Sequence, residues 1–541
     1  MKALLSELPG GPDTLVLREV PEPSPGRGQV RIIVRFCGIN YPDALVIEDK
    51  YQIRPPRPFA PGFEISGVVD AVGEGVTRLK PGDAVIAAAL GGGLAEKAVT
   101  EQEVEAMAEA RRTEMRETLD ELRRKMDSGV YEDPTVTSTG TSELNRGASP
   151  PVKTAVPEDR LRILNDALIE VPEDFTIQRK LKKPLSRRVE ALDEGGIDFA
   201  QAESLAFASL LEEGVHVRLT GQDSERGTFS QRHLVLHDEH DGRPWAPIQN
   251  LEQATAPFEL YNSPLSEAGC LGFEYGYSSS NPDSLVLWEA QFGDFANSAQ
   301  VIIDTFIASG EAKWGLTTRL TMLLPHGHEG AGPEHSSARM ERFLSLAAEG
   351  NMRIANPSTA AQYFHLLRRQ AMIRKPRPLV VFTPKGLLRQ PAAAARLDQL
   401  VNEHFHFILE DPRAVKRRKK VERLVLCSGR IYYDLDSSEA REGAENVAVG
   451  RVELLYPFAE EQVEQMIASY PNLKEVVWVQ EEPKNMGAWS VMRRRLPDLL
   501  PDGVALEYVG RPGRSSPGEG YSVTHVREQE RIVLTALTVG A

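Results

Sequence analysis

An α/β fold is predicted for most of this chain, and three observations predict it. From residue 199 onward, short apolar runs alternate with segments of helical periodicity, the pattern of a mainly parallel sheet with helices on both faces. From about residue 416 to the C-terminus a second, smaller α/β unit repeats the alternation. The first hundred residues differ, because short strands broken by Gly and Pro predict an all-β domain there. At 541 residues the chain exceeds what one hydrophobic core holds, so about three or four domains are expected.

In the first hundred residues LVLREV, QVRIIVRF, FEISGVVDAV and DAVIAAAL read as strands, with turns PSPGRGQ, GEGV and KPGD between them and a glycine turn GGGL at 91–94. Near residue 100 the texture changes to EQEVEAMAEARRTEMRETLDELRRKM. There Val104, Met107, Met115, Leu119, Leu122 and Met126 recur at helical spacing and predict one apolar stripe with charges around it, a surface or interface helix. Residues 131–160 are rich in Pro, Ser, Thr and Gly and read as an irregular connection, followed by a helical segment to about 195.

The alternation then begins with helix FAQAESLAFASLLEEG and strand VHVRLTG, a polar loop QDSERGTFSQRH and strand LVLH. It continues with helix-like LSEAGCLGFEYGYS, strand SLVLWEA, helix NSAQVIIDTFIASG, strand TRLTMLLP and a Gly/His loop. Helix SARMERFLSLAAEG, strand NMRIANP, helix AAQYFHLLRRQA and strand PLVVFTP complete it. Residues 384–420, Pro-rich and ending in the basic run KRRKK, read as a linker; strands ERLVLCSG, VAVGRVELL, EVVWVQEE and ALEYVG follow.

Composition excludes several function classes. The chain is 41% hydrophobic and 26% charged with a formal net charge of −15, so its surface as a whole repels nucleic acid and acidic membranes. Cys37, Cys270 and Cys427 lie far apart without metal-ligand spacing, which supports neither a disulfide framework nor a cysteine zinc site and fits a reducing, cytoplasmic setting. The N-terminus has no long apolar core, and no run of about 18 apolar residues occurs, so neither export by a standard signal nor a membrane span is expected.

One stretch, 263–337, gathers the candidate chemistry: Glu267, Phe292, Phe295, His326, His328 and His335, set between apolar runs. Such groups at the ends of buried strands are what an α/β ligand site needs. Glu267 alone also reads as a first-turn charge answering a helix dipole, and the two Phe as plain core. Three His within ten residues, around Gly327, Gly330 and Gly332, are less easily read as structural, because glycine lets backbone and imidazoles approach a ligand closely. A metal site is not expected, since no carboxylate stands at a familiar ligand spacing from them.

Two resemblances give these patterns a family. FCGINYPDAL at 36–45 and FAPGFEISGVVDAVGEGVTRLKPGDAV at 59–85 resemble the GroES-like N-terminal part of medium-chain quinone oxidoreductases. That resemblance implies no catalytic zinc, because Asn40, Tyr41 and Phe63 stand where zinc-dependent relatives place a Cys and two acid/base-type residues. No G-x-G-x-x-G opening a βαβ unit follows, so a quinone reductase lacks its nucleotide-binding half here. GQDSERGTFSQRH, SEAGCLGFEYGYS, WEAQFGDFANSAQ, LPHGHEGAGPEHSSAR, VQEEPKNMGAW and YVGRPGRSSPGEGY resemble the C-terminal half of the thiamine diphosphate-dependent, decarboxylating first component of the 2-oxoglutarate dehydrogenase complex, over about residues 101–541.

The resemblance implies a partial GroES-like fragment at 1–100 and a helical connecting region at 101–195. A transketolase-like pyrimidine-binding domain at 196–395 and a transketolase C-terminal-like domain at 396–541 follow. It implies oxidative decarboxylation of 2-oxoglutarate with transfer to a lipoyl group in the tricarboxylic acid cycle. Thiamine diphosphate is the implied cofactor, and the implied partners are a dimer, with a second copy or a full-length relative, and the dihydrolipoyl succinyltransferase component. Glu267 matches the carboxylate that bonds the aminopyrimidine, Phe292 and Phe295 the segment packed against that ring, and His326 and His335 loop histidines facing substrate or intermediate, with His328 as a further substrate contact. Gln222, Arg226 and His233 are implied to be structural or interfacial, and Trp478, Glu481 and Trp489 to serve folding and dimer contacts. No GDG sequence occurs to hold the diphosphate, and the family's magnesium ligands are not in this chain, so a half-site is expected. Two readings stay open: a contributor to a shared active site, or a chimeric or truncated chain without autonomous activity that acts at most as a dimerising partner.

Overall fold

The computed structural model describes residues 1–51, 54–88, 91–101, 120–121, 123–124 and 152–539, and the chain divides into two compact units, 1–133 and 134–541. In the first unit β1 (Lys2–Leu5) pairs antiparallel with β2 (Val16–Glu19). Strands β3 (Gln29–Gly38), β4 (Glu64–Val72), β5 (Ala84–Ala88) and β6 (Lys97–Glu101) form an antiparallel sheet ordered β5-β4-β3-β6. Alternation along β3 and β4 turns Val30, Ile32, Ile65 and Val69 into one small core with Val85 and Ala98. The all-β expectation omits the helix Tyr41–Ile47, whose first turn is held by the Asn40 N–H donating to Asp43 Oδ2 at 2.8 Å. Asp43 also accepts from Gly62 N–H at 3.0 Å. Gly93 within GGGL crosses Gly62 so closely that a Cβ would stand 2.6 Å from the Gly62 carbonyl, which makes this a backbone crossing as well as a turn.

The second unit holds two sheets. The first has seven strands in the order β10-β7-β11-β12-β14-β13-β18. These are β7 (Val217–Gly221), β10 (Phe258–Asn262), β11 (Leu285–Glu289), β12 (Thr321–Pro325), β13 (Arg353–Ala355), β14 (Leu379–Thr383) and β18 (Leu454–Tyr456). All pairs are parallel except β13 with β18. Every residue of β7, β11, β12 and β14 is buried, the reason these strands read as continuous apolar runs. Leu285 and Leu287 face the helices Phe199–Glu212 and Ala360–Met372, whereas Val286 and Trp288 face Leu271 and Tyr275 of the helix Glu267–Ser280. Helices therefore cover both faces, as the alternation predicts. Asp198 caps the first helix, accepting from Gln201 N–H at 2.8 Å, and Thr359 caps the second, accepting from Gln362 N–H at 3.2 Å.

The second sheet runs β15-β17-β16-β19-β20, from β15 (Ile408–Leu409), β16 (Arg423–Cys427), β17 (Val447–Val452), β19 (Glu475–Pro483) and β20 (Ala505–Arg511). Its pairs are parallel apart from β15 with β17. The helix Ser522–Leu537 packs on β19 and β20. Directly after β17 the chain crosses over, and β18 closes the edge of the first sheet.

Several elements depart from expectation. Residues 384–420 are no linker: Ala393, Ala395 and Leu400 are fully buried in the core. NSAQVIIDTFIASG forms a 3-10 turn Gly293–Ala299, the turn Gln300–Ile302, a π-helical turn Ile303–Ile307 and the helix Gly310–Trp314 in place of one regular helix. LVLH keeps only β8 (Leu236–His237), paired with β9 (Pro244–Trp245). β10 was not expected, because the edge strand FELYN exposes Tyr261 and Asn262 and lacks an apolar run. The predicted helix near 101–126 falls outside the described residues, apart from Asp120, Glu121, Arg123 and Arg124, which are helical and exposed. Among the described residues no helix is long and apolar enough to cross a membrane.

Candidate functional site at the strand ends

The C-terminal ends of β7, β11, β12 and β14 open onto one edge of the first sheet, where α/β folds place their ligands. Glu267 is the first residue of its helix, behind the N-cap Ser266, whose Oγ accepts from Gly269 N–H at 3.2 Å. Its half-buried carboxylate accepts from Ser298 Oγ at 2.8 Å, and that oxygen also lies 2.9 Å from the Phe295 carbonyl. One hydroxyl thus joins the carboxylate to the turn Gly293–Ala299, which carries Phe295 and begins just after Phe292.

Around that turn the aromatic groups converge. The His335 ring stands edge-to-face on Phe292 at 4.5 Å and on Phe295 at 5.9 Å. Phe292 meets Phe295 at 5.9 Å and Phe229 at 5.4 Å, both T-shaped, the geometry ring quadrupoles prefer. Asp294 points away from this cluster and accepts from the N–H groups of Ser336 at 3.3 Å and Ser337 at 3.1 Å, tying the turn to the His loop. Burial raises its carboxyl, against the pull of those donors. Lys385, just past β14, donates to the His335 carbonyl at 2.6 Å and lies 5.9 Å from the Phe292 ring centre, and burial pulls its amine below the ordinary lysine range. Among the described residues no hydrogen bond engages either ring nitrogen of His335, so its imidazole is available to a ligand.

The other two histidines stand differently. His326 Nε2 lies 2.8 Å from Glu482 Oε1, while Ala338 N–H donates to Nδ1 at 3.1 Å. Glu482 favours a charged ring, but the Ala338 donor requires a lone pair on Nδ1, so the geometry fixes the neutral tautomer with the proton on Nε2. Burial alone would raise the Glu482 carboxyl, yet the bond from His326 holds it down to about 2. His328 Nε2 donates to the Pro517 carbonyl at 2.9 Å, its Nδ1 is buried without a partner among the described residues, and burial lowers it to about 3. The structure therefore gathers Glu267, Phe292, Phe295 and His335, and it commits both nitrogens of His326 and one of His328 to protein partners.

Beside His326 a narrow cavity is lined by Glu329, Asn356, Lys385, Arg430, Glu481 and Glu482. Glu481, expected to serve folding, is buried there and raised to about 7, by burial first and against the Arg430 charge. Sequence reasoning missed Glu482 and Lys385. The signals were two adjacent carboxylates in the apolar run EVVWVQEE and one lysine after PLVVFTP. Arg226 pairs with Asp223, and Trp478 is buried and donates to Gln480 at 3.0 Å. Among the described residues no cluster of three or more His, Cys, Asp or Glu is placed to hold a metal ion.

Residues 195–391 match the family model "Transketolase, pyrimidine binding domain", residues 394–537 match "2-oxoglutarate dehydrogenase C-terminal", and residues 26–115 match "Alcohol dehydrogenase GroES-like domain". The chain is 54% identical over 394 residues to the 2-oxoglutarate dehydrogenase E1 component of Geobacillus sp. (strain WCH70), covering 72% of this chain and 41% of that protein. It is 51% identical over 395 residues to that of Bacillus subtilis (strain 168), covering 72% and 42%. Against that of Shouchella clausii (strain KSM-K16) it is 48% identical over 433 residues, covering 76% and 46%. The chain thus spans less than half the length of these relatives. The C-terminal part of the chain is similar to 2-oxoglutarate dehydrogenase E1 components at 48–54% identity, and its N-terminal part matches a GroES-like domain model.

Proposed function

We propose that this chain supplies the aminopyrimidine half of a thiamine diphosphate site for oxidative decarboxylation of 2-oxoglutarate, with transfer to a lipoyl group, as part of a 2-oxoglutarate dehydrogenase first component. The observation that carries this reading is Glu267, a half-buried carboxylate at the strand ends, linked through Ser298 to the turn bearing the Phe292, Phe295 and His335 cluster. A carboxylate beside flat aromatic faces fits an aminopyrimidine ring.

When bound, thiamine diphosphate supplies the carbon nucleophile that attacks a 2-oxo acid and the electron sink that accepts the electrons of decarboxylation. Glu267 is the residue that would hold a ring nitrogen of the aminopyrimidine and favour its imino tautomer, and Ser298 holds the carboxylate in place. Phe292 and Phe295 would form the wall against that ring and exclude water from it. His335, with no hydrogen bond to either ring nitrogen among the described residues, is the imidazole offered to the substrate carboxylate or to a proton in transfer. His326, fixed by Glu482 and Ala338, shapes the substrate side, with His328 behind it. This reading divides the second unit into a pyrimidine-binding domain at 196–395 and a C-terminal domain at 396–541. The diphosphate and magnesium contacts come from outside these residues, in a dimer with a second copy or a full-length relative, and the succinyltransferase component receives the product in the cytoplasm.

Titration with thiamine diphosphate and magnesium, alone and mixed with a full-length relative, tests this. Saturable binding below millimolar in the mixture is expected, together with decarboxylation that Glu267→Gln abolishes. No saturable binding in either arm, or activity that survives Glu267→Gln, refutes the reading and leaves at most a dimerising partner.

A further inference from the structure

Residues 222–233, between β7 and β8, take no part in the function proposed above, yet their construction is costly. Ser230 and His233 adopt left-handed backbone conformations, with φ of 51° and 47°. Neither is glycine, and strain of this kind persists only where the surroundings over-determine it. Between them Arg232 is almost fully buried, with its guanidinium shared by two carboxylates. Nη1 and Nη2 donate to Glu289 at 2.7 and 2.6 Å, and Nε and Nη2 donate to Glu203 at 2.5 and 3.2 Å. Nη1 also donates to the Ser224 carbonyl at 3.2 Å, and Tyr363 donates to Glu203 at 2.6 Å. Glu289 is the last residue of β11, three positions before Phe292.

Phe229 is held as firmly. Its N–H donates to Gln231 Oε1 at 3.0 Å, and its carbonyl accepts from Arg389 Nη2 at 2.9 Å. Its half-buried ring stands at 87° to that of Phe292. We propose that Arg232 is a positioning residue for the aromatic wall of the site, fixing Phe292 from below through Glu289 and from the side through Phe229. The planar guanidinium offers each of the two carboxylates a pair of N–H donors, a geometry lysine cannot reproduce, since its ammonium is a compact point charge without a planar fork. The proposal rests on the preceding reading only for what the wall faces.

The test uses the full chain labelled with ¹³C at histidine Cε1, without cofactor, the His335 resonance being assigned by its loss in His335→Gln. Because His335 packs on Phe292, its resonance reports where that ring stands. Phe229→Leu and Arg232→Lys are each expected to move it while the exposed His237 resonance stays in place and the circular dichroism of the fold is kept. A His335 resonance unmoved by Phe229→Leu overturns the proposal. That half-exposed site decides the matter even if Arg232→Lys fails to fold. In a second arm with the full-length relative, Phe229→Leu is expected to weaken thiamine diphosphate binding about three- to tenfold, the worth of one aromatic contact. Unchanged affinity there also overturns it, whereas a natural chain that binds no cofactor refutes the function and leaves the resonance arm decisive.

Discussion

Glu481 and Glu482 are neighbours in β19 with opposite electrostatic fates, because successive side chains leave a strand on opposite sides. Glu482 meets His326 and stays ionised. Glu481 turns to the helix Ser522–Leu537, accepts from Gln529 Nε2 at 3.1 Å, and feels Asp434 and Glu482 as well as Arg430 and Arg511. Its carboxyl is raised from the ordinary value to about 7, so the folded chain binds this proton more tightly than the unfolded one. The stability this gives is complete below about pH 4.5 and is lost as pH rises through about 7. Glu481→Gln is therefore expected to flatten the fall in unfolding free energy between pH 5 and pH 8 by on the order of 2–3 kcal/mol, read by urea denaturation at each pH. A slope unchanged by the substitution would contradict this account. Glu482 works in the other sense, its contribution being lost only as pH falls toward about 2.

At the scale of elements, what was legible follows from burial. β7, β11, β12 and β14 announce themselves because both faces are covered, and the helix Phe199–Glu212 because its apolar residues run all round it. β10 hides because an edge strand needs no apolar run, and the segment after Phe292 hides because helical periodicity does not reveal that the ladder slips through 3-10 and π turns. Glu267 and its aromatic neighbours were legible through a motif, whereas Glu482, the side-chain partner of His326, lies more than 150 residues away in β19, a distance no local pattern spans. The crossing from β17 to β18 is secured by Glu453, fully buried, which accepts from Ser358 N–H at 2.8 Å and Ser358 Oγ at 2.5 Å. Arg451 donates to the same hydroxyl at 3.0 Å. Glu453→Ala leaves the buried Ser358 N–H without its acceptor and is expected to cost about 1–3 kcal/mol in urea unfolding. A loss below about 1 kcal/mol would show that the crossing is held by strand pairing alone.

For the molecule as a whole, two family models meet near residue 392, but the fold does not divide there. Leu387, Leu388, Ala393, Ala395, Leu397 and Leu400 of the segment 384–420 anchor it in the core, and β18 from the C-terminal part completes the first sheet beside β13. Residues 134–541 are therefore expected to melt as one calorimetric transition, with van't Hoff and calorimetric enthalpies equal for that peak. Two separable peaks for 196–395 and 396–541 would argue against it. The donated strand also sets a timetable for synthesis. β13 leaves the ribosome about a hundred residues before β18, an interval on the order of five to twenty seconds at ordinary elongation rates, during which its free edge has no partner. For that interval the nascent chain carries an open template for strand pairing, and protection from neighbouring chains has to come from elsewhere until Tyr456 emerges.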